Sequence, residues 1–104
     1  LILKKMISLT QQWKKHQPLV EIKGEEVVII IGRDIEHPMD EVHLIETVDL
    51  LSYTKAGLLR VKTFKLIAWE EAKISFPVSD LKSWTYKVQA KCNLHWTWDD
   101  DFVI

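Results

Sequence analysis

Alternation of polar and apolar residues within positions 82–92, strict from Ser83 to Cys92, is the feature that most limits what this chain can fold into. A period of two is typical of a β-strand with one buried face and one face in solvent. The run ends at Cys92, the single cysteine of the chain, and the pattern therefore predicts that Cys92 lies on the buried face at the end of a strand. The alternating apolar positions are Trp84, Tyr86, Val88, Ala90 and Cys92.

Other segments have the composition of short strands. Residues 27–31 are β-branched throughout and lie between Gly24 and Gly32. Only three glycines and three prolines interrupt the chain, and no internal repeat divides it. Short strands at this spacing predict an all-β fold, an immunoglobulin-like antiparallel β-sandwich or barrel, with residues 1–104 forming one domain. The remaining strand candidates are residues 19–23, 39–51, 58–69 and 73–78.

Two segments near the ends of the chain have less regular patterns. Residues 1–13 fit a short helix or a strand, and the pattern does not choose between them. The acidic run 99–101 predicts a solvated turn, followed by a last strand over the apolar residues 102–104.

Composition excludes several classes of function. Hydrophobic residues make up 47% of the 104 residues and charged residues 28%, which is typical of a soluble globular protein. The net charge of -1 and the mixing of both signs disfavour nucleic acid and membrane surfaces as partners. The longest apolar run, residues 27–31, is far shorter than the roughly 20 residues that cross a bilayer. No secretory signal pattern begins the chain, so a cytoplasmic location is expected.

The histidines and the cysteine are the residues that carry chemistry. A lone cysteine is a small buried hydrophobe, a nucleophile or a metal ligand. Cys92 and His95 are separated by two residues at a strand end, a spacing that lets a thiolate and an imidazole bind one ion. His37 precedes Pro38, which favours extended backbone and lets a loop bring His37 and His43 to one end of a sheet. Taken singly, each of these signals is weak. The complete set is His16, His37, His43, Cys92 and His95.

Three motifs in order strengthen the metal interpretation. Residues 15–21 read KHQPLVE, residues 37–45 read HPMDEVHLI and residues 92–98 read CNLHWTW. This series resembles the superoxide reductase family, which includes the one-iron neelaredoxins and the iron-binding domain of desulfoferrodoxins. The likeness spans residues 15–98 and contains five ligand positions with matching neighbours.

The resemblance implies a mononuclear non-haem iron that alternates between Fe2+ and Fe3+ and reduces superoxide to hydrogen peroxide. It implies that Lys15 attracts the superoxide anion and orders the water that protonates the peroxide. It also implies a rubredoxin-like electron donor and a homo-oligomer, either a tetramer or a dimer. The implied ligands are His16, His37, His43 and His95 in one plane, with the Cys92 thiolate as the axial ligand.

Two positions depart from the family pattern. Lys14 stands where the family usually has a glutamate that closes the sixth iron position after oxidation. Trp96 stands where the family usually has glycine. If that position requires a positive φ, a bulky residue there costs about 1–3 kcal/mol of strain.

Other classes of protein stay open at this point. A non-catalytic β-sandwich that binds a metal for stability is the main alternative, and Lys14 and Trp96 favour it. A blue-copper carrier also has a late cysteine and a nearby histidine, but no methionine follows His95. Structural zinc closes with four ligands, whereas five candidates are present. A Cys-His hydrolase lacks a separate orienting group.

Overall fold

A computed structural model describes residues 16–32, 37–82 and 85–104, and within these ranges the fold consists of seven strands and one turn of 3-10 helix. The predicted helix or strand at residues 1–13 lies outside the described residues. The 3-10 turn spans Val78–Asp80. The strands are β1 Pro18–Lys23, β2 Glu26–Ile31, β3 Ile45–Thr54, β4 Gly57–Lys65, β5 Lys73–Pro77, β6 Thr85–Cys92 and β7 Thr97–Val103.

The strands form two antiparallel sheets. One sheet has the order β1-β2-β5, and the other has the order β4-β3-β6-β7. A two-residue turn joins β1 to β2, and Gly24 adopts a φ of +61° there, a conformation that costs glycine no steric clash. The predicted antiparallel β-sandwich is confirmed.

The core lies between the two sheets and is built from alternate positions of the strands. In β6, buried positions alternate with more exposed ones from Thr85 to Cys92, as the sequence predicts. Each large aliphatic or aromatic side chain buried there contributes roughly 1.5–3 kcal/mol. The most deeply buried core positions are Val27, Ile29 and Ile31 of β2, Ile45, Val48 and Leu50 of β3, and Tyr86, Val88 and Ala90 of β6.

Two predicted strands are shorter than expected. The candidate at 39–51 begins as a strand only at Ile45, because Asp40 binds the amides of Val42 and His43 and holds residues 40–43 in a local turn. The candidate at 58–69 ends at Lys65, and the chain then turns through Trp69, which has a φ of +72°. The described strands at 18–23, 26–31 and 73–77 agree with prediction to within a residue.

The prediction of a turn at 99–101 is wrong, because these residues lie within β7. Asp99 and Asp101 face the ammonium of Lys87 at 3.7 and 3.6 Å, and the Tyr53 hydroxyl donates to Asp101 at 2.7 Å. Cross-strand pairing of opposite charges lets an acidic run stay extended at a sheet edge, where its side chains remain in water. Among the described residues, no helix is long and apolar enough to cross a membrane.

Candidate metal centre

The five candidate ligands lie at one end of the sandwich. His16 precedes the start of β1 and His43 precedes the start of β3, while His37 follows β2 and Cys92 ends β6. His95 lies in the connection between β6 and β7. Antiparallel pairing brings these points together, because the start of one strand lies beside the end of its neighbour: Pro18 pairs with Ile31, and Ile45 pairs with Cys92. We call the five side chains the ligand cluster.

The four imidazoles form a closed ring. Centroid distances between successive rings are 4.6 Å for His16 and His37, 4.7 Å for His37 and His43, 4.9 Å for His43 and His95, and 5.0 Å for His95 and His16. Successive planes are inclined at 68°, 75°, 76° and 81°. The diagonal from His16 to His43 is 6.3 Å. The rings therefore occupy the corners of an approximate square, with His37 and His95 at opposite corners.

The cysteine sulfur adjoins this ring. One ligand atom from each of His16, His37, His43 and Cys92 lies within 4.8 Å of every other. The Cys92 Sγ is also 3.8 Å from the Nδ1 of His95, and the Cys92 side chain is buried. Nitrogen and sulfur donors at this spacing can bind a single first-row transition metal, and imidazole with thiolate suits iron, copper or zinc. His95 lies outside this set of four mutually close donors, but its ring adjoins the rings of His16 and His43 and the sulfur of Cys92.

His37 shows that the cluster fits a metal. Its Nδ1 donates to the carbonyl oxygen of Pro38 at 2.6 Å, because a carbonyl can only accept, and the lone pair of the neutral ring is then on Nε2. That Nε2 is buried and has no hydrogen-bond partner among the described residues. Metal-bound histidines usually donate their second N–H to a carbonyl or carboxylate in this way. A bound metal would satisfy the buried Nε2 atom.

Burial also sets the charge of His37. The pKa of His37 is lowered from 6.5 to about 4, chiefly by desolvation on burial and also by the neighbouring imidazoles, while the hydrogen bond to Pro38 acts in the opposite direction. A neutral imidazole is the form that binds metals, so His37 needs no deprotonation at neutral pH.

Two side chains hold the loop that carries His43. The Asp40 Oδ1 accepts from the amides of Val42 and His43 at 3.0 and 2.7 Å. The Asn93 carboxamide donates to the Val42 carbonyl at 2.9 Å and accepts from the Leu44 amide at 3.0 Å, and the Asn93 amide donates to the Leu44 carbonyl at 3.1 Å. Asn93 thus binds the peptide groups on both sides of His43. It ties the His43 loop to the loop of Cys92 and His95.

Trp98 supports two further ligands. Its indole stacks on the His16 ring with a centroid distance of 4.9 Å and an interplanar angle of 20°. Its Nε1 donates to the carbonyl of His95. Asp40, Asn93 and Trp98 all belong to the sequence motifs, but the motifs alone assign no role to them. Their positions beside ligands in the sequence are the only signal that could have indicated this supporting function.

Trp96 has the positive φ that strains a bulky residue at the position where the family usually has glycine. Its φ is +66°, in the left-handed region that favours glycine, and its carbonyl accepts from the Cys92 amide at 3.0 Å. This tight turn brings His95 back toward Cys92. Lys14 and Lys15, the two lysines of the first motif, lie outside the described residues.

Comparison with known proteins agrees with the architecture. Residues 8–101 match the family model for desulfoferrodoxin. The chain is 34% identical over 86 residues to a desulfoferrodoxin homolog of Archaeoglobus fulgidus. The matched region covers 82% of this chain and 61% of the relative. It is 28% identical over 88 residues to the desulfoferrodoxin of Syntrophotalea carbinolica, covering 85% of this chain and 63% of the relative. The chain thus spans about three fifths of the length of these curated relatives.

A solved structure matches over nearly its full length. The superoxide reductase (1Fe-SOR) of Giardia intestinalis is 33% identical and superposes with a TM-score of 0.74, covering 88% of this chain and 99% of that protein. The ring of four imidazoles with an adjoining thiol contains the five residues that the sequence resemblance implies as ligands. On the family match, the fold and the cluster together, the chain belongs to the desulfoferrodoxin family.

Proposed function

We propose that this chain is a superoxide reductase, which converts superoxide to hydrogen peroxide at a single non-haem iron. The observation that carries the proposal is the closed square of imidazoles with the Cys92 sulfur beside it. The match to the superoxide reductase of Giardia intestinalis supports it, because that match covers 99% of that protein. The proposed ligands are His16, His37, His43, Cys92 and His95.

The chemistry requires one electron and two protons for each superoxide. Iron in this cluster would supply the electron by passing from Fe2+ to Fe3+. Bound to the metal as a thiolate, Cys92 would place a negative charge at the buried end of the sandwich, and this charge would stabilise the higher oxidation state. Neutral imidazoles complete the donor set without adding charge, and the hydrogen bond from His37 to Pro38 fixes the orientation of its ring.

Lys15 is the proposed catalytic cation. It directly precedes His16 in the sequence, and the KHQP motif is the part of the chain that assigns it this role by resemblance to the family. A positive charge at this point would attract the superoxide anion and order the water that delivers protons to the departing peroxide. Lys14 offers a second cation in place of the glutamate that the family usually has, so this position contributes no carboxylate to the oxidised site.

The proposal extends to partners and location. A rubredoxin-like carrier would return one electron to the oxidised site in each cycle. A reducing compartment such as the cytoplasm would keep the lone thiol available for metal binding. Assembly as a homotetramer or homodimer is proposed from the family resemblance.

Metal analysis combined with visible spectroscopy tests the proposal. About one iron per chain, and a sulfur-to-iron charge-transfer band that appears on oxidation and disappears on reduction, are expected. The band should be absent in Cys92→Ser, because the band requires the thiolate. Mixing the reduced protein with superoxide should then produce hydrogen peroxide without oxygen evolution.

The alternative of a non-catalytic metal-binding module predicts a different result. In that case the protein binds iron through the same cluster, but the reduced wild type reacts with superoxide no faster than the reduced Lys15→Ala variant does. The strained turn at Trp96 is the observation that favours this alternative, since it departs from the glycine expected beside the last histidine.

A further inference from the structure

Three apolar side chains are exposed beside the ligand cluster. Val42 directly precedes His43, and Leu94 and Trp96 flank His95 in the sequence. Their exposed fractions are 75%, 57% and 74%. Large apolar side chains at such exposure contribute little to the stability of the folded chain. We call Val42, Leu94 and Trp96 the contact patch.

The contact patch has a fixed backbone. The hydrogen bonds of Asn93 to the peptide groups of Val42 and Leu44 join the two loops that carry the patch. The carbonyl of Trp96 accepts from the amide of Cys92, so the patch is also bonded to a ligand residue. Its residues are therefore held at fixed positions next to three of the five candidate ligands.

A tryptophan at position 96 is unfavourable for the stability of the fold unless its side chain binds a partner. Its φ of +66° lies in the left-handed region that strains a non-glycine residue, and the exposed indole offsets little of this strain by packing. Tryptophan is also among the residue types most enriched in the energetic centres of protein interfaces. Strain and exposure at the same residue point to a binding partner.

The size of the patch indicates which partner it fits. It consists of only three side chains, which are 57–75% exposed. A stable dimer needs about 800 Å² from each partner, whereas transient redox complexes bury less than about 1,200 Å² in total. The neighbouring exposed charges, Glu41 and Lys91, have opposite signs, so the surface attracts neither strongly acidic nor strongly basic partners. A transient, mainly apolar contact fits best.

We propose that the contact patch is the docking site of a small one-electron carrier protein whose redox group lies beneath an apolar surface. This inference rests on the proposed function, which needs such a carrier in every cycle. The carrier loses one electron, the oxidised metal centre gains one, and no atom is transferred. Trp96 and Leu94 are covalent neighbours of His95, which gives the electron a short bonded path into the ligand cluster.

Trp69 provides a matched control within the same chain. It is also an exposed tryptophan with a positive φ, at 72% exposure and +72°. Its amide donates to the carbonyl of Met39, in the loop that follows His37. Because His37 and His95 occupy opposite corners of the imidazole ring, Trp69 lies by a different part of the cluster. Trp69→Gly and Trp96→Gly thus make the same chemical change in the same backbone conformation.

The test measures carrier docking in two independent ways. Stopped-flow spectroscopy follows reduction of the oxidised iron protein by reduced rubredoxin and, separately, by a reduced c-type cytochrome. Isothermal titration of the zinc-substituted protein with each carrier measures affinity without redox chemistry. Both are applied to the wild type, Trp96→Gly, Val42→Ser/Leu94→Ser and Trp69→Gly. The reaction of each dithionite-reduced variant with superoxide is recorded separately.

We expect Trp96→Gly and Val42→Ser/Leu94→Ser to lower the second-order rate constant of iron reduction about ten-fold, for the carrier that reduces the wild type. The affinity measured by titration should fall by a matching factor. Trp69→Gly should change neither quantity by more than about two-fold. Equal effects of Trp96→Gly and Trp69→Gly, a larger effect of Trp69→Gly, or no saturable binding of either carrier by the wild type would overturn the docking site. Failure of the reduced wild type to react with superoxide would instead count against the proposed function, while the zinc titration would still test the patch.

Discussion

Replacing Asn93 by alanine should weaken both the fold and the metal site. The substitution removes two hydrogen bonds of the carboxamide. One is donated to the Val42 carbonyl at 2.9 Å, and the other is accepted from the Leu44 amide at 3.0 Å. A neutral hydrogen bond contributes about 0.5–1.5 kcal/mol net, and both groups are near solvent, so we expect a loss of about 1–2 kcal/mol. For a chain of this size, that loss lowers the melting temperature by roughly 5–10 °C.

The metal site should respond more strongly than the fold. The two lost bonds flank His43, so the variant lets one of the four imidazoles leave its corner of the square. Loss of a group that orients a ligand typically lowers metal affinity about 10–100-fold. Urea unfolding of the metal-free protein measures the first effect, and competition with a chelator for zinc or cobalt measures the second.

Two controls separate loop positioning from general destabilisation. Thr63→Ala removes the hydrogen bond from its hydroxyl to Asp49, an exposed contact between the strands β3 and β4. It should lower stability slightly and leave metal affinity unchanged. Asn93→Asp keeps the acceptor for Leu44 but places an oxygen against the Val42 carbonyl, and should be at least as harmful as alanine. Unchanged metal affinity in Asn93→Ala would refute the argument that Asn93 positions His43.

Three further predictions follow from single residues. Trp96→Gly should raise the free energy of unfolding by about 1 kcal/mol, because glycine adopts the φ of +66° without strain; urea titration checks this, and a loss of stability would show that the indole packs favourably. Lys15→Ala should slow the reaction with superoxide while leaving iron content unchanged, with a larger difference at low ionic strength; equal rates at low salt would exclude the steering role. The metal-free protein should lose stability as pH falls from 6.5 toward 4, because the unfolded chain protonates His37 in this range while the folded chain does not. Urea unfolding at several pH values tests this, and His37→Gln should show a flatter pH dependence than the wild type.

The sequence determined the fold class because hydrophobic periodicity is a local signal. Alternation along β6 required one buried face, and it placed Cys92 on that face at the strand end, where the structure has it. The motifs around His16, His37 and Cys92 likewise indicate a metal site from the sequence alone. Such patterns can be read from the sequence because each depends only on a residue and its immediate neighbours.

Local patterns were misleading where a side chain competes with the sheet for backbone hydrogen bonds. Asp40 holds residues 40–43 in a turn and so delays β3 to Ile45, although the apolar spacing there fits a strand. In β7, the acidic residues stay extended because Lys87 lies across the sheet from them. A partner on a neighbouring strand cannot be read from the spacing within one segment.

Only the tertiary structure decided how the ligands are held. Asn93 contacts the neighbours of His43 across 49 to 51 positions of sequence, and Trp98 stacks on a ring 82 positions away. The positive φ of Trp96 likewise depends on the tertiary structure, because Trp96 belongs to the turn that returns His95 to Cys92. A sequence names donor atoms, but a metal centre depends on distances and angles between them, and antiparallel pairing of distant strands sets those distances.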